Sequence, residues 1–184
     1  EILPGEKKVL KSQVNLVHTE LSLVDYSHYS SFRKIVWLIA RVINVFRMKS
    51  FTGGRIVNIT PNVLRDAENV IIRDVQSSLT NDITRKSAKG KQGGIYARLN
   101  PMKDNDGMWI VGSRLVRYNP MTPDNQPQKL VPSKHHVTKL LMMEAHRACI
   151  HRGRDATLAR FRLNYWTPHG SKIAWAIVSK CQLC

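Results

Sequence analysis

The sequence is short of acidic residues. It has 13 Asp and Glu against 29 Lys and Arg, which gives a formal net charge of +16 at pH 7. Such an excess of positive charge favours a polyanionic partner, most often nucleic acid. The plainer alternative is a solvated basic face that has no dedicated partner.

Long apolar runs and abundant cysteines are also missing. No uninterrupted apolar run is longer than that of residues 35–40, which is far shorter than the roughly 18 residues that span a bilayer, and no signal peptide is visible. An odd number of cysteines, 3 in all, argues against a disulfide framework and for a reducing compartment. We therefore expect an intracellular protein of the nucleus and cytoplasm, without a membrane partner.

Patterns typical of catalysis are absent as well. The sequence contains no Gly-rich phosphate loop, no Ser/His/Asp arrangement and no activated cysteine. Its few acids form no constellation of metal-binding carboxylates. We therefore expect this chain to have no enzymatic activity of its own.

Two helices are predicted before the middle of the chain. Apolar residues recur at steps of three and four over residues 32–48 and again over 60–80, and Thr60 suits an N-cap. The following stretch, 81–94, is polar, basic and glycine-containing, which is typical of a linker.

A small β unit is predicted next. Asn105-Asp106-Gly107 is a turn signal, and residues 108–111 behind it form a short apolar run that indicates a strand. We expect the strand to continue over 112–116 with a bulge at Gly112. Recurring prolines then favour an extended connector.

The last part of the chain carries four candidate metal ligands. His146 and His151 have four residues between them, and a Cys-x-x-Cys formed by Cys181 and Cys184 follows after twenty-nine more. Two imidazoles and two thiolates make the donor set of a closed tetrahedral zinc site. We predict one structural zinc ion there.

Other histidines and cysteines are weaker candidates. Cys149 lies between the two ligand histidines and is a potential thiolate, but the other four residues already fill the site, so we interpret it as a packing residue. We expect no ligand role for His135, His136 or His169. A redox role for the Cys-x-x-Cys lacks the strand-turn-helix context that such motifs have.

Residues 134–184 predict three short helices. The first leads to His146, and the third begins after a cap at Ser171. We expect Trp166 and Trp175 to be core residues rather than base-stacking residues, which is the alternative for an aromatic side chain in a basic module. This stretch holds nine Lys and Arg against two acids, so its net positive charge per residue is about twice that of the remaining chain.

The same stretch resembles the amino-terminal zinc-binding (HHCC) domain of retroviral and retrotransposon integrases. The resemblance rests on the His pair, on residues 157–162 followed by Tyr165-Trp166-Thr167-Pro168, and on the Cys pair, in that order. It implies that the second and third helices form a helix-turn-helix-like pair. The zinc ligands that it implies are His146, His151, Cys181 and Cys184.

Upstream segments are similar to the region between RNase H and integrase in Bel/Pao-type retrotransposon polyproteins. These segments are residues 32–37 with their helix, the Thr60-Pro61 helix ending at 74–76, and residues 99–115. One departure is Asn69-Val70, where such elements often place aromatic residues.

The predicted architecture is mainly α with a small β unit and a C-terminal three-helix HHCC zinc-binding module. Its divisions are an unassigned lead-in (1–31), a helical region with a basic linker (32–94), a small β unit with a Pro-rich connector (95–133) and an integrase-type zinc-binding domain (134–184).

The resemblance implies the amino-terminal, non-catalytic part of a retrotransposon integrase. In such polyproteins the domain with three catalytic carboxylates follows the zinc module, and this chain stops at Cys184, so we expect it to be part of a longer protein. Partners would be DNA or RNA, and other integrase subunits through self-association. The alternative is a domesticated host protein that uses the zinc module as a protein- or RNA-binding scaffold. Expected phosphate contacts are Arg147, Arg152, Arg154, Arg160, Arg162 and Lys172.

Overall fold

The computed structural model describes residues 24–47, 59–88, 96, 99–112 and 127–184. Within these residues the protein is mostly helical, with one small sheet. The helices are α1 (Phe32–Arg47), α2 (Pro61–Ala88), α3 (His136–Ala148), α4 (Arg154–Phe161) and α5 (Gly170–Val178). The strands are β1 (Pro101–Lys103), β2 (Trp109–Val111), β3 (Lys129–Leu130) and β4 (Tyr165–Trp166). Across the described ranges, no helix combines the length and apolarity that crossing a bilayer requires.

Helices α1 and α2 begin where the apolar spacing predicts them. The Leu64 amide donates to the Thr60 carbonyl at 3.2 Å, so Thr60 occupies the N-cap position and Pro61 the first helical position. Proline is favourable there because the first amides of a helix have no intrahelical partner.

Helix α2 extends further than the sequence predicts. It continues to Ala88, so residues 81–88 of the expected linker are helical. Arginine and lysine are good helix formers, and polarity alone does not end a helix. The remaining part of the predicted linker, residues 89–94, lies outside the described residues.

Strands β1 and β2 form a hairpin across the predicted turn, and β2 lies within the predicted strand. The Gly107 amide donates to the Asp104 carbonyl at 2.8 Å, and Gly107 has φ 76°, a conformation that glycine adopts without strain. At the end of β2 a Cβ on Gly112 would lie 2.3 Å from the Asn100 carbonyl oxygen, so this position requires glycine for close approach. The predicted continuation of the strand past Gly112 lies outside the described residues.

The sheet is completed by a strand from the C-terminal region. Its order is β1-β2-β3-β4; the β1–β2 and β2–β3 pairs are antiparallel, and the β3–β4 pair is parallel. Lys129 is in register with Tyr165, and Leu130 with Trp166. The sheet therefore crosses the predicted division between residues 95–133 and 134–184.

The hydrophobic core also crosses that division. One continuous cluster of buried side chains includes Ile35 of α1, Ile71 of α2, and Val137, Leu141 and Phe161 of the C-terminal helices. Helix α1 packs against both α2 and α3. The upstream helices and the C-terminal helices thus share one apolar interior.

A buried amide on α2 joins this helix to the sheet. The Gln76 side chain is 3 % exposed. Its Nε2 donates to the carbonyls of Trp109 at 2.8 Å and Leu130 at 2.7 Å, and its Oε1 accepts from the Trp109 amide at 2.8 Å. Three hydrogen bonds from one side chain therefore tie α2 to both β2 and β3.

A carboxylate on α2 makes a second polar tie. Glu68 Oε1 accepts from Tyr165 Oη at 2.6 Å and from Lys129 Nζ at 3.1 Å. Burial raises the pKa of Tyr165 well above its ordinary value, and the negative charge of Glu68 adds to the rise. The phenol therefore remains a hydrogen-bond donor, and Glu68 holds the paired ends of β3 and β4.

We expect Gln76→Met to lower the free energy of unfolding by about 2–4 kcal/mol, because methionine fills the space but leaves buried backbone groups without partners. Urea denaturation at fixed zinc concentration would measure this loss. Ser77→Ala, an exposed neighbour on the same helix, is the control and should change stability by less than about 0.5 kcal/mol. Equal stability of both variants would contradict the role of Gln76.

Candidate metal centre

The end of α3 brings the two histidines together. The Ile150 amide donates to the Arg147 carbonyl at 3.0 Å, and the His151 amide donates to the His146 carbonyl at 3.1 Å. These two bonds are those of a Schellman motif, which ends a helix through a left-handed residue. The motif folds His151 back over the last turn, so both imidazoles lie on the same side of the helix end.

This turn contains backbone strain. Ile150 and His151 have φ of 55° and 57°. The left-handed region is rare for non-glycine residues and most unfavourable for a β-branched one such as Ile150. The surrounding contacts must therefore stabilise this conformation.

The two cysteines come from a turn after α5. The Cys181 amide donates to the Val178 carbonyl at 3.1 Å, and the Cys184 amide donates to the Cys181 carbonyl at 3.3 Å. The Cys-x-x-Cys is thereby bent so that both thiols face the histidines. The helix ends of α3 and α5 meet at this point.

Four potential ligand atoms converge there. His146 Nε2 and His151 Nδ1 are 3.0 Å apart, and Cys181 Sγ lies 3.2 Å from His151 Nδ1. Cys184 Sγ lies 3.5 Å from His146 Nε2 and 3.9 Å from His151 Nδ1. All four atoms lie within 4.8 Å of one another.

These separations suit a tetrahedral ion. Zinc–ligand bonds of roughly 2.0–2.3 Å place tetrahedral ligand atoms about 3.3–3.8 Å apart. The observed nitrogen–nitrogen and nitrogen–sulfur distances scatter around that range. The cluster is compatible with one zinc ion, bound by the four residues that the sequence predicts.

A hydroxyl on α4 selects the ligand nitrogen of His146. Thr157 Oγ1 donates to the Gly153 carbonyl at 2.7 Å, so its lone pair faces His146 Nδ1 at 2.9 Å. That nitrogen must then carry the proton, and Nε2 keeps the lone pair that a metal needs. Thr157 was not among the predicted site residues, because no sequence pattern links it to His146.

The surroundings of His146 and Cys181 favour the protonation states that can bind a metal, which are the neutral imidazole and the thiolate. Burial lowers the pKa of His146, and the nearby His151 lowers it further, so its neutral imidazole is favoured. The pKa of Cys181 is lowered chiefly by the Leu183 amide, with a smaller contribution from the charge of Arg147. Burial raises the pKa of Cys184, and the neighbouring Cys181 sulfur adds to the rise. Cys181 is therefore the more readily ionised thiol of the pair.

The three histidines and the cysteine for which no ligand role was expected make other contacts. Cys149 Sγ donates to the His146 carbonyl at 3.2 Å and lies outside the four-residue cluster. His135 caps α3 by accepting from the Val137 amide, and His136 Nε2 is 2.8 Å from the Tyr29 carbonyl oxygen. His169 occupies the N-cap of α5.

Two expectations for the last helix are wrong. Ser171 is not its cap, since α5 begins at Gly170 after His169 in a left-handed conformation. Gly170 fits this position because a Cβ there would approach Leu158 Cδ1 to 3.0 Å. Trp175 is not a core residue, since 62 % of its surface is exposed. Trp166 is half-buried and packs against the smaller apolar cluster under the sheet.

The six predicted phosphate-contacting cations are all exposed. Arg152 and Arg160 line the same surface groove, which has a volume of about 530 Å³. Arg154 differs from the others because its guanidinium contacts the Asp155 carboxylate at 2.8 Å and 3.3 Å. Its charge is therefore largely compensated locally.

The region that carries this cluster matches a known protein family. The integrase zinc binding domain family matches residues 133–184. The chain has no match among curated proteins or among solved structures. The integrase-like character of the C-terminal region therefore stands on the family match together with the four converging ligands.

We expect Cys181→Ser to reduce bound zinc well below one ion per chain, because the hydroxyl is a poorer zinc ligand than a thiolate. Metal analysis after dialysis measures this. Cys149→Ser is the matched control and should keep one ion per chain. Full zinc occupancy in the Cys181→Ser protein would rule out the assignment.

We expect Thr157→Val to weaken zinc affinity by about 10- to 100-fold, because His146 loses the partner that fixes its tautomer. Competition with a chromophoric chelator would measure the affinity. Thr138→Val is the control: Thr138 is equally buried in the same region and bonds to the Pro132 carbonyl, away from the cluster. If both variants bind zinc equally well, Thr157 does not position the ligand.

Proposed function

We propose that this chain is the amino-terminal, non-catalytic part of a retrotransposon integrase of the Bel/Pao type. In this proposal residues 134–184 act as its three-helix zinc-binding module, with α4 and α5 as a helix-turn-helix-like pair. The observation that carries the proposal is the convergence of His146, His151, Cys181 and Cys184 within a region that matches the integrase zinc binding domain.

The proposed role of the zinc ion is structural. Helices α3, α4 and α5 have 13, 8 and 9 residues, lengths at or below the roughly 12–15 residues at which isolated helices become marginally stable. An ion bound by the four side chains would join the end of α3 to the turn after α5. Binding energy at such a site contributes directly to folding.

The proposed ligand of the basic surface is nucleic acid. Residues 156–184 contain no Asp or Glu, whereas Arg160, Arg162, Lys172 and Lys180 lie within them. Exposed cations of this kind bind phosphates without reading bases, so affinity falls steeply with salt. Arg152 and Arg160 are the strongest candidates, since they share one groove and neither takes part in an ion pair with a described carboxylate.

An assembly role is supported by the outer face of α1. Leu38, Val42 and Val45 follow each other at helical spacing and are all exposed, and Phe46 beside them is 84 % exposed. A contiguous apolar surface of this kind is typical of protein interaction sites. We propose that it contacts other integrase subunits during DNA integration.

The coding sequence after Cys184 provides a test of the integrase assignment. A domain with three metal-binding carboxylates on an RNase H-like sheet is expected there. A stop codon or an unrelated sequence would instead favour a domesticated host protein that uses the zinc module to bind protein or RNA.

We expect the combined substitution of Arg152, Arg160 and Arg162 by Ala to weaken binding to duplex DNA of any sequence. The slope of log affinity against log salt should flatten by about 0.9 for each lost phosphate contact. Fluorescence anisotropy across a salt series would measure both quantities.

The matched control is Arg154→Ala, whose guanidinium is already paired with Asp155 and which should change the slope little. Zinc content should be equal in all variants. An unchanged slope in the triple variant would indicate a basic face that is only solvated.

A further inference from the structure

The exposed tryptophan of α5 has mostly polar neighbours along its helix. Trp175 is 62 % exposed. Its helical neighbours at steps of three and four are Ser171, Lys172, Val178 and Ser179, of which only Val178 is half-buried and apolar. The indole therefore projects from a small polar and cationic surface.

This setting disfavours a protein contact. The centre of a protein interface is a desolvated, apolar patch with few charges, whereas Trp175 lies beside an exposed lysine and two exposed serines. Pairing of two copies through this face would also bring together two chains of formal charge +16 and their Lys172 ammonium groups.

The same setting favours nucleic acid. An aromatic face that stacks on a base and a nearby cation that binds the adjoining phosphate are the two elements of single-strand recognition. No carboxylate occurs in residues 156–184 to repel a phosphate. Serine hydroxyls can donate further hydrogen bonds to phosphate or sugar oxygens.

We propose that Trp175 is a base-stacking contact for unpaired nucleotides, with Lys172 binding the adjacent phosphate. This inference rests on the proposed nucleic-acid role of the module and specifies its ligand. In a duplex both faces of each base are already stacked on neighbours, so the indole has no free face to contact. The surface therefore discriminates single-stranded from double-stranded nucleic acid.

The test uses the full 184-residue chain with zinc bound and two probes. One is an oligothymidylate of roughly 20 nucleotides, long enough for a single-strand site. The other is a duplex of about 60 base pairs, in which frayed ends contribute little. Trp175→Ala should weaken oligothymidylate binding about 5- to 100-fold and duplex binding less than about twofold.

Two further variants separate stacking from a loss of fold. Trp175→Phe keeps an aromatic face and should retain most of the single-strand affinity. Trp37→Ala removes another exposed tryptophan, 43 % accessible on α1, and should leave both affinities unchanged. Oligothymidylate should quench tryptophan emission in the wild type, and this quenching should be largely lost in Trp175→Phe.

Failure of this inference differs from failure of the proposed function. If the wild type binds neither probe at low salt, the nucleic-acid role itself is wrong. If it binds both and Trp175→Ala binds the oligothymidylate equally well, only the stacking contact is wrong. Two other results would likewise overturn the assignment to unpaired bases. One is that Trp175→Ala weakens binding to both probes equally. The other is that Trp175→Ala leaves binding unchanged and alters the sedimentation of the free protein.

Discussion

The convergence of two imidazoles and two thiols is the constraint on which the C-terminal region depends. Four potential ligand atoms lie within 4.8 Å of one another, and two imidazoles with two thiolates form a donor set that suits one zinc ion. A Schellman motif with an isoleucine in the left-handed region holds one half of the set. Such strain persists only where other interactions outweigh it. A bound zinc ion would supply an interaction of that strength.

Helices α1 and α2 pack against the helices that carry this cluster. Side chains of α1 and α2 are part of the same core as those of α3 and α4. Gln76 and Glu68 then add directional bonds from α2 to the strands that flank the C-terminal helices. Apolar contacts alone would allow α2 to slide, whereas these hydrogen bonds define its register against the sheet.

Features that depend on residues close together in the sequence could be predicted, whereas contacts between residues far apart in the sequence could not. Helical spacing located α1 and the start of α2, the Asn-Asp-Gly signal located the turn before β2, and ligand spacing located the four clustered residues. Strand β4 has two residues, which is too short for any periodicity, and its partner β3 lies more than thirty residues earlier. Thr157 and Gln76 acquire their roles only through tertiary placement, and Trp175 is exposed because α5 buries Gly170 and Ala174 instead.

The parallel pairing of β3 with β4 joins the segment that matches the family to a strand that precedes it. The family match begins at residue 133, just after Leu130 and Val131, both of which are fully buried. Recombination that moved only the matched segment into another protein would carry every zinc ligand and leave behind the strand beside Tyr165. It would also leave behind Glu68, the acceptor for the Tyr165 hydroxyl. A recipient protein would have to provide an equivalent strand and an apolar face, so the neighbours with which this module can be combined are restricted.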